Sequence, residues 1–261
     1  MNPLASQRQA MILDEVERLG AVRVSSLVAR LGVSDMTVRR DLDALAQRGL
    51  VIKVHGGATS VGGRSVDEPG FEAKQVRAQG EMDAIAHVAA QMVTPGSAVG
   101  ISAGTTTWTL AHLLRDIPGI TVVTNSMRVA DVVLTGGIRT PSDALVGPVA
   151  VEALRTLHLD VVFLGVHGMD ERGFTTPNLM ESETDRALVE AGRQLVVVAD
   201  HSKWGVVGLS TIVPLSDADV LITDEALTPH AREVLGGQVG ELVIARAIGR
   251  ASCRERVYHP V

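Results

Sequence analysis

The stretch from Ser34 to Gly57, SDMTVRRDLDALAQRGLVIKVHGG, constrains the fold more than any other part of this chain. Ser34 is placed to cap a helix, because its hydroxyl can accept a backbone N–H of the first turn. Val38, Leu42 and Leu45 then recur at i, i+4 and i+7, one apolar stripe on a helix. At about 100° per residue, Met36, Arg40, Asp43 and Gln47 point the opposite way, with Thr37 and Arg39 on the flanks. Gly49 is expected to stop the helix. Leu50 to His55 reads as a strand, and Gly56-Gly57 as a turn.

The preceding segment completes a unit. Ile12, Val16 and Leu19 mark a first helix ended by Gly20, and Leu27, Val28 and Leu31 mark a second, shorter one. Leu31-Gly32-Val33-Ser34 is a tight turn into the third. Two helices joined by a short Gly-containing turn form a helix-turn-helix, whose second member enters the major groove, and the strand that follows adds a β wing. Arg39 and Arg40 suit phosphates or the acceptor edge of guanine. Ser34 and Thr37 lie in the first helical turn, where backbone N–H groups also favour phosphate. Lys53 and His55 on the wing can touch backbone or minor groove. The competing reading is a three-helix packing module with a solvated basic face, since Asp35, Asp41 and Asp43 dilute the charge. The wing and the N-terminal position favour the DNA-reading interpretation.

The 261 residues allow one small and one medium domain. Aromatics make up only 2%, so the core must rest on Val, Leu, Ala and Ile. No apolar run is long enough to cross a bilayer, and a basic-then-apolar leader is missing from the N-terminus, so a cytoplasmic location is expected. A single cysteine rules out a disulfide framework and a cysteine-based metal cluster. No metal is expected, because no HxxxH or HxH spacing occurs, and no cofactor is assigned. The net charge of −6 conceals an asymmetry. Residues 1–60 carry eight Arg or Lys against six Asp or Glu, whereas the remainder is acidic. A mildly basic head on an acidic body fits a modular regulator.

The expected organisation is a winged helix-turn-helix at 1–57, a linker at 58–75, an α/β domain at 76–248 and a non-native or disordered tail at 249–261. In the α/β domain, short Val-rich runs alternate with helical stretches, implying a mostly parallel sheet covered on both faces. Strands are expected at Ala98 to Ile101, Thr121 to Thr124, Val161 to Leu164, Leu195 to Ala199 and Val220 to Ile222. Helices are expected near Met82 to Val93, Thr106 to Leu114, Val149 to Leu157, Ser182 to Ala191 and Pro229 to Leu235. The segment MRVADVVLTGGIRT is irregular: a helix after Asn125 and a strand-like VVL are squeezed into about a dozen residues, short for a crossover. Either residues are missing near 130–134 or the topology is shortened.

Polar loops follow the strands. Ser102-Ala103-Gly104-Thr105-Thr106-Thr107 sits where a strand ends and a helix begins, a favoured place for an anion. Thr124-Asn125-Ser126, Gly136-Gly137, Gly165-Val166-His167-Gly168 and Asp200-His201-Ser202-Lys203 occupy equivalent ends. Such loops would form one rim at the carboxyl edge of a sheet, suited to a polyhydroxylated, phosphorylated ligand. Lys203 would meet the anion, and carboxylate and amide groups the hydroxyls. Glu181 and Lys203 read alternatively as a general acid/base pair or a surface ion pair. His167 reads as a pocket residue.

The segments TVRRDLDAL, RGLVIKVHGGA, AGTTTWTLA, VVTNS, TGGIR, ALVGP, VFLGVHGMD, GFTTPN, ADHSKWG and VLITD together resemble the DeoR family of bacterial transcriptional regulators, from Arg8 to about Ala226. The resemblance implies an N-terminal winged helix-turn-helix and a C-terminal sensor domain related to ribose-5-phosphate isomerase and CoA-transferase folds. It also implies repression of sugar or nucleoside catabolic genes, relieved by a sugar phosphate. Residue by residue it assigns DNA reading to Ser34, Thr37, Arg39 and Arg40, with Lys53 and His55 on the wing. Effector binding falls to Gly104, Thr105, Thr106, Thr107, Asn125, Gly136, Gly137, Glu181 and Lys203, beside Ser102 and His167 from the loop reading. The expected partners are operator DNA and a phosphorylated sugar, met by a homodimer or homotetramer. The alternatives are a sugar-phosphate isomerase or acyl-CoA transferase on the same sheet, and an effector-independent architectural DNA binder.

Overall fold

The apolar stripes of the first sixty residues close on one another. The structure, a computed structural model, describes residues 5–19, 21–48, 50–54, 56–60, 71, 79–129 and 132–246. Gly20, Gly49, His55, most of the expected linker and the expected tail lie outside them. The chain divides into two units, Met1–Asp67 and Glu68–Val261.

The first unit runs α1 (Ala5–Leu19), β1 (Ala21–Arg23), α2 (Val24–Leu31), α3 (Asp35–Gln47), β2 (Val51–Val54) and β3 (Gly57–Ser60). Val38, Leu42 and Leu45 on α3 are buried against Ile12 and Val16 of α1 and Leu27 and Leu31 of α2, as the helical spacing dictates. Asp41, on the inner side of α3, is buried and bound by Arg8 and Gln9 of α1. The wing is a three-stranded antiparallel sheet in the order β1-β3-β2, pairing Val51 with Ser60 and Ala21 with Thr59. Residues 58–60 are therefore strand, and the expected linker began too early. Gly57 opens β3 rather than completing a turn. A Cβ there would stand 2.0 Å from the Val22 carbonyl oxygen, so the close approach of β1 demands glycine. β1 itself, three residues long, carried no readable alternation.

The second unit is built on a seven-stranded parallel sheet. Its strands are β4 (Ala98–Ile101), β5 (Thr121–Thr124), β6 (Val133–Leu134), β9 (Val161–Gly165), β12 (Leu195–Val198), β14 (Val220–Asp224) and β15 (Glu241–Ala245). They lie in the order β15-β14-β12-β9-β4-β5-β6. Helices α4 (Gln79–Ala90), α5 (Thr105–Leu113), α6 (Pro148–Leu154), α7 (Leu179–Ala191) and α8 (Pro229–Gly236) complete the layers. Alternation along the strands feeds two cores. Val161, Phe163, Val196 and Ile222 pack with Ile85, Ala89 and Leu110 from α4 and α5. Val162, Leu164, Val197 and Leu221 pack with Leu188 and Leu235 from α7 and α8. An antiparallel sheet of β10 (Gly168–Asp170), β11 (Gly173–Thr176) and β13 (Ser210–Val213) adds Phe174 and Ile212 to that second core. A small ribbon pairs β7 (Ile138–Arg139) with β8 (Leu145–Val146).

After β4 the chain steps towards the β6 edge, and from β9 onward it steps towards the β15 edge. The order reverses between the adjacent strands β4 and β9. At such a switch point the loops at the carboxyl ends part and leave a crevice.

The irregular segment has a plain outcome. Met127 and Arg128 form a turn, with no helix among the described residues between β5 and β6, and β6 is two residues long. The eight-residue connection is too short for a packed crossover helix. Val133, Leu134 and Ile138 are consequently exposed. Among the described residues, no helix is long and apolar enough to cross a membrane.

Candidate nucleic-acid interface and ligand cleft

In the first unit, α3 presents a polar outer face. Ser34 caps it: its Oγ accepts the Thr37 backbone N–H at 3.3 Å and lies 2.9 Å from Thr37 Oγ1. Met36, Arg39 and Arg40 are exposed on that face and Thr37 is half-buried. Arg39 is bound by Asp35 one turn earlier, which raises its already high pKa through that hydrogen bond and the adjacent charge. Arg40 makes no ion pair with a described residue. Lys53 on β2 reaches back to Asp43 of α3, so wing and helix share one charged surface.

In the second unit a cleft opens at the switch point between β4 and β9. The cleft and its open mouth together enclose about 650 Å³ of empty space. One wall is the loop after β4 and the first turn of α5, with Gly104, Thr105 and Thr106. Another is the loop after β9, with Gly165, Val166 and His167. No side chain caps α5, whereas Ser34, Asn178 and Thr228 cap α3, α7 and α8. The first-turn N–H groups of α5 are therefore left to a ligand or to water, at the positive end of the helix. The loop itself is fixed from behind. Ser102 Oγ accepts the Gly165 N–H at 2.9 Å, tying the ends of β4 and β9 together. Asn125 Oδ1 accepts the Ala103 N–H at 2.9 Å.

The opposite wall is acidic and hydroxyl-rich. Glu181, in the first turn of α7, is buried and accepts from Thr140, Ser142 and Thr176. Three hydroxyl donors make the burial of a carboxylate tolerable where no described arginine is bonded to it. Asp185 follows at i+4, also buried and lining the cleft. Lys203 comes from the turn after β12. That turn is clamped. Asp200 accepts the Ser202 N–H, and Asp224 accepts both the backbone N–H of His201 (2.7 Å) and its ring Nδ1 (2.9 Å). Burial opposes ionisation of Asp224, yet these hydrogen bonds and that from Ala226 outweigh it and hold its pKa below the usual carboxylate range. Asp200, His201 and Asp224 have ligand-type atoms within 4.8 Å of one another. Their hydrogen bonds account for the arrangement as the scaffold that presents Lys203.

Of the expected effector residues, Gly104, Thr105, Thr106, His167, Glu181 and Lys203 line the cleft together. Ser102, Thr107 and Asn125 stand behind the wall: Thr107 is fully buried and donates to the Gly104 carbonyl. Gly136 and Gly137 are not brought to the cleft. Gly137 has φ 122°, and a Cβ there would stand 2.5 Å from the Val146 carbonyl oxygen, so it serves the β7–β8 ribbon instead. Sequence reasoning missed Phe71, Ser142, Thr176 and Asp185, all of which line the cleft.

Comparison with known proteins agrees with both halves. A family model described as the DeoR-like helix-turn-helix domain matches residues 8–63, and one described as the DeoR C terminal sensor domain matches residues 77–225. The chain is 37% identical over 250 residues to the uncharacterized HTH-type transcriptional regulator YgbI of Escherichia coli (strain K12), covering 92% of this chain and 98% of that protein. It is 32% identical over 242 residues to the putative aga operon transcriptional repressor of Escherichia coli O157:H7, covering 88% of this chain and 90% of that one. It is 31% identical to the glycerol-3-phosphate regulon repressor of Escherichia coli (strain K12), covering 88% of this chain and 95% of that one. The enzyme alternative is set aside by these matches. Carrying a family helix-turn-helix followed by the family's sensor domain, the chain belongs to the DeoR family of transcriptional regulators.

Proposed function

We propose that this regulator is a homo-oligomeric repressor, acting in the cytoplasm and released from its operator by a phosphorylated sugar. The observation that carries the reading is the uncapped start of α5 in a cleft that also holds Glu181, Asp185 and Lys203. The phosphate would take the N–H groups and hydroxyls at Gly104, Thr105 and Thr106, with Lys203 as counter-charge. Sugar hydroxyls would donate to the carboxylates of the opposite wall. The names of two relatives, a glycerol-3-phosphate regulon repressor and an aga operon repressor, support a carbohydrate-linked role.

On DNA, α3 would lie in the major groove, with Arg39 and Arg40 on bases or phosphates and Ser34 and Thr37 on phosphate. Lys53 would hold the backbone beside the groove. Paired heads in a dimer or tetramer bind two half-sites at once, and a ligand that spoils their joint placement removes that avidity. The test is a gel-shift titration of the full-length protein on its upstream DNA with a panel of sugar phosphates. At least one is expected to weaken the complex; a panel with no effect on DNA affinity and no heat of binding overturns the reading.

A further inference from the structure

The stretch after the DNA-binding unit contributes a buried side chain to the ligand cleft. Phe71 is only 4% exposed and lines the same cleft as Thr105, Ser142 and Glu181. Its ring meets Trp108 of α5 edge-on, with centroids 5.9 Å apart and planes at 81°. The Arg128 guanidinium lies over the Phe71 ring, 4.2 Å from its centre. Arg128 in turn donates to Asp143. Asp143 is buried and holds φ at 64°, a left-handed conformation uncommon for non-glycine residues though more open to Asp than to most. Its neighbour Ser142 donates to Glu181. An unbroken run of contacts and chain links thus leads from the acidic wall of the cleft, through Ser142, Asp143 and Arg128, to Phe71. The first unit ends at Asp67, four residues before Phe71.

Resting on the ligand-responsive reading above, we propose that Phe71 is the residue through which occupancy of the cleft is transmitted to the DNA-binding unit. Two routes from the ligand converge on it. One is direct, because a ligand at Thr105 shares the cleft with the ring. The other passes from Glu181 through Ser142 to the Asp143–Arg128 pair that covers the ring. Ligand affinity therefore depends on whether Phe71 is seated, and by reciprocity the ligand biases the seating. Seating fixes the chain at position 71, four residues in sequence from the end of the first unit. Phe71 is a positioning residue in this account: the ligand is held by the hydroxyls, helix start and charges, not by the ring.

The experiment separates binding from transmission. Full-length protein, Phe71→Ala and Arg128→Gln are each titrated with ribose 5-phosphate, fructose 6-phosphate, glycerol 3-phosphate and inorganic phosphate by calorimetry. Binding to the upstream DNA is then measured with and without the tightest probe. In the unaltered protein that probe is expected to weaken DNA binding about tenfold or more. In Phe71→Ala, whose ring lines the cleft, the effect on DNA should fall below about twofold even at saturating probe, whatever the change in Kd. Arg128→Gln lies outside the cleft lining and leaves Arg139 on Asp143, so it should reduce the response in the same way if Phe71→Ala fails to fold. Full response in either folded variant overturns the proposal. So does a response that returns in full once the probe is raised to saturation, which would make Phe71 only a wall of the pocket. If no probe binds the unaltered protein, the ligand reading itself fails and this proposal falls with it.

Discussion

Arg39 and Arg40 are neighbours in sequence but stand in different electrostatic settings. Arg39 is held by Asp35, whereas Arg40 is exposed with no described ion-pair partner. Arg40→Ala should therefore weaken DNA binding across all sequences and reduce the salt slope by about one if it meets phosphate, with no loss of thermal stability. Asp35→Asn should do the reverse by freeing Arg39, and fluorescence anisotropy over a salt series distinguishes the two. An Arg40→Ala protein with unchanged affinity would remove α3 from the interface. Inside the cleft, Glu181→Leu removes the acceptor of three hydroxyls; Thr140 and Ser142 can still bond each other, but Thr176 and one of that pair lose their acceptor, and each buried unsatisfied group costs on the order of 1–3 kcal/mol. Glu181→Gln, which still accepts, should destabilise less, and thermal melts of the two variants check the order. The strand-end loops were legible because polar residues followed apolar runs. Phe71, Ser142 and Thr176 were not, because nothing local marks a residue that reaches a cleft through tertiary packing. Asp185 did carry a signal, its i+4 spacing from Glu181, which puts both carboxylates on one face of α7.

At the scale of elements, α3 owes its beginning to one side chain. Ser34→Ala removes the acceptor for the Thr37 N–H and should lower the stability of the first unit by about 1 kcal/mol. Ser34→Asp, which restores a cap, should recover it, whereas any DNA contact by the hydroxyl would not be recovered. Chemical denaturation and DNA titration of the pair separate the two roles of Ser34. The central strands β9, β12 and β14 were legible because each is an apolar run buried on both faces, and helices flank them at ordinary loop lengths. β15 and the antiparallel sheet of β10, β11 and β13 were not. β15 is only part-buried for most of its length, and GMD and GFTT contain no apolar alternation to read. The β5–β6 connection was recognised as too short, and the structure explains its apolar VVL as a two-residue edge strand. Gly137 is assigned to the effector by its place after the VVLT run and by the family resemblance. Its actual constraint, a backbone packed against Val146, is set by β8 and invisible locally.

At the scale of the whole molecule, the two units should respond differently to acid. Asp143 and Asp224 both belong to the second unit. Burial opposes ionisation of Asp143, but hydrogen bonds from Arg139 and Arg128 prevail and hold its pKa below the usual carboxylate range, as those from His201 do for Asp224. A carboxyl with a depressed folded-state pKa contributes stability that is present above the unfolded value, near 4, and lost as pH falls through the folded one. Between these values the unfolded chain takes up protons that the folded unit refuses. Calorimetry of the full-length protein should therefore show the transition of the second unit falling steeply below about pH 4. Asp143→Asn should start from lower stability at neutral pH, because Arg128 and Arg139 lose their anion, and should then fall less steeply with acid. The same acid slope in Asp143→Asn as in the unaltered protein would show that the Asp143–arginine cluster carries none of this linkage. It would also weaken the case that this cluster is rigid enough to connect Glu181 with Phe71.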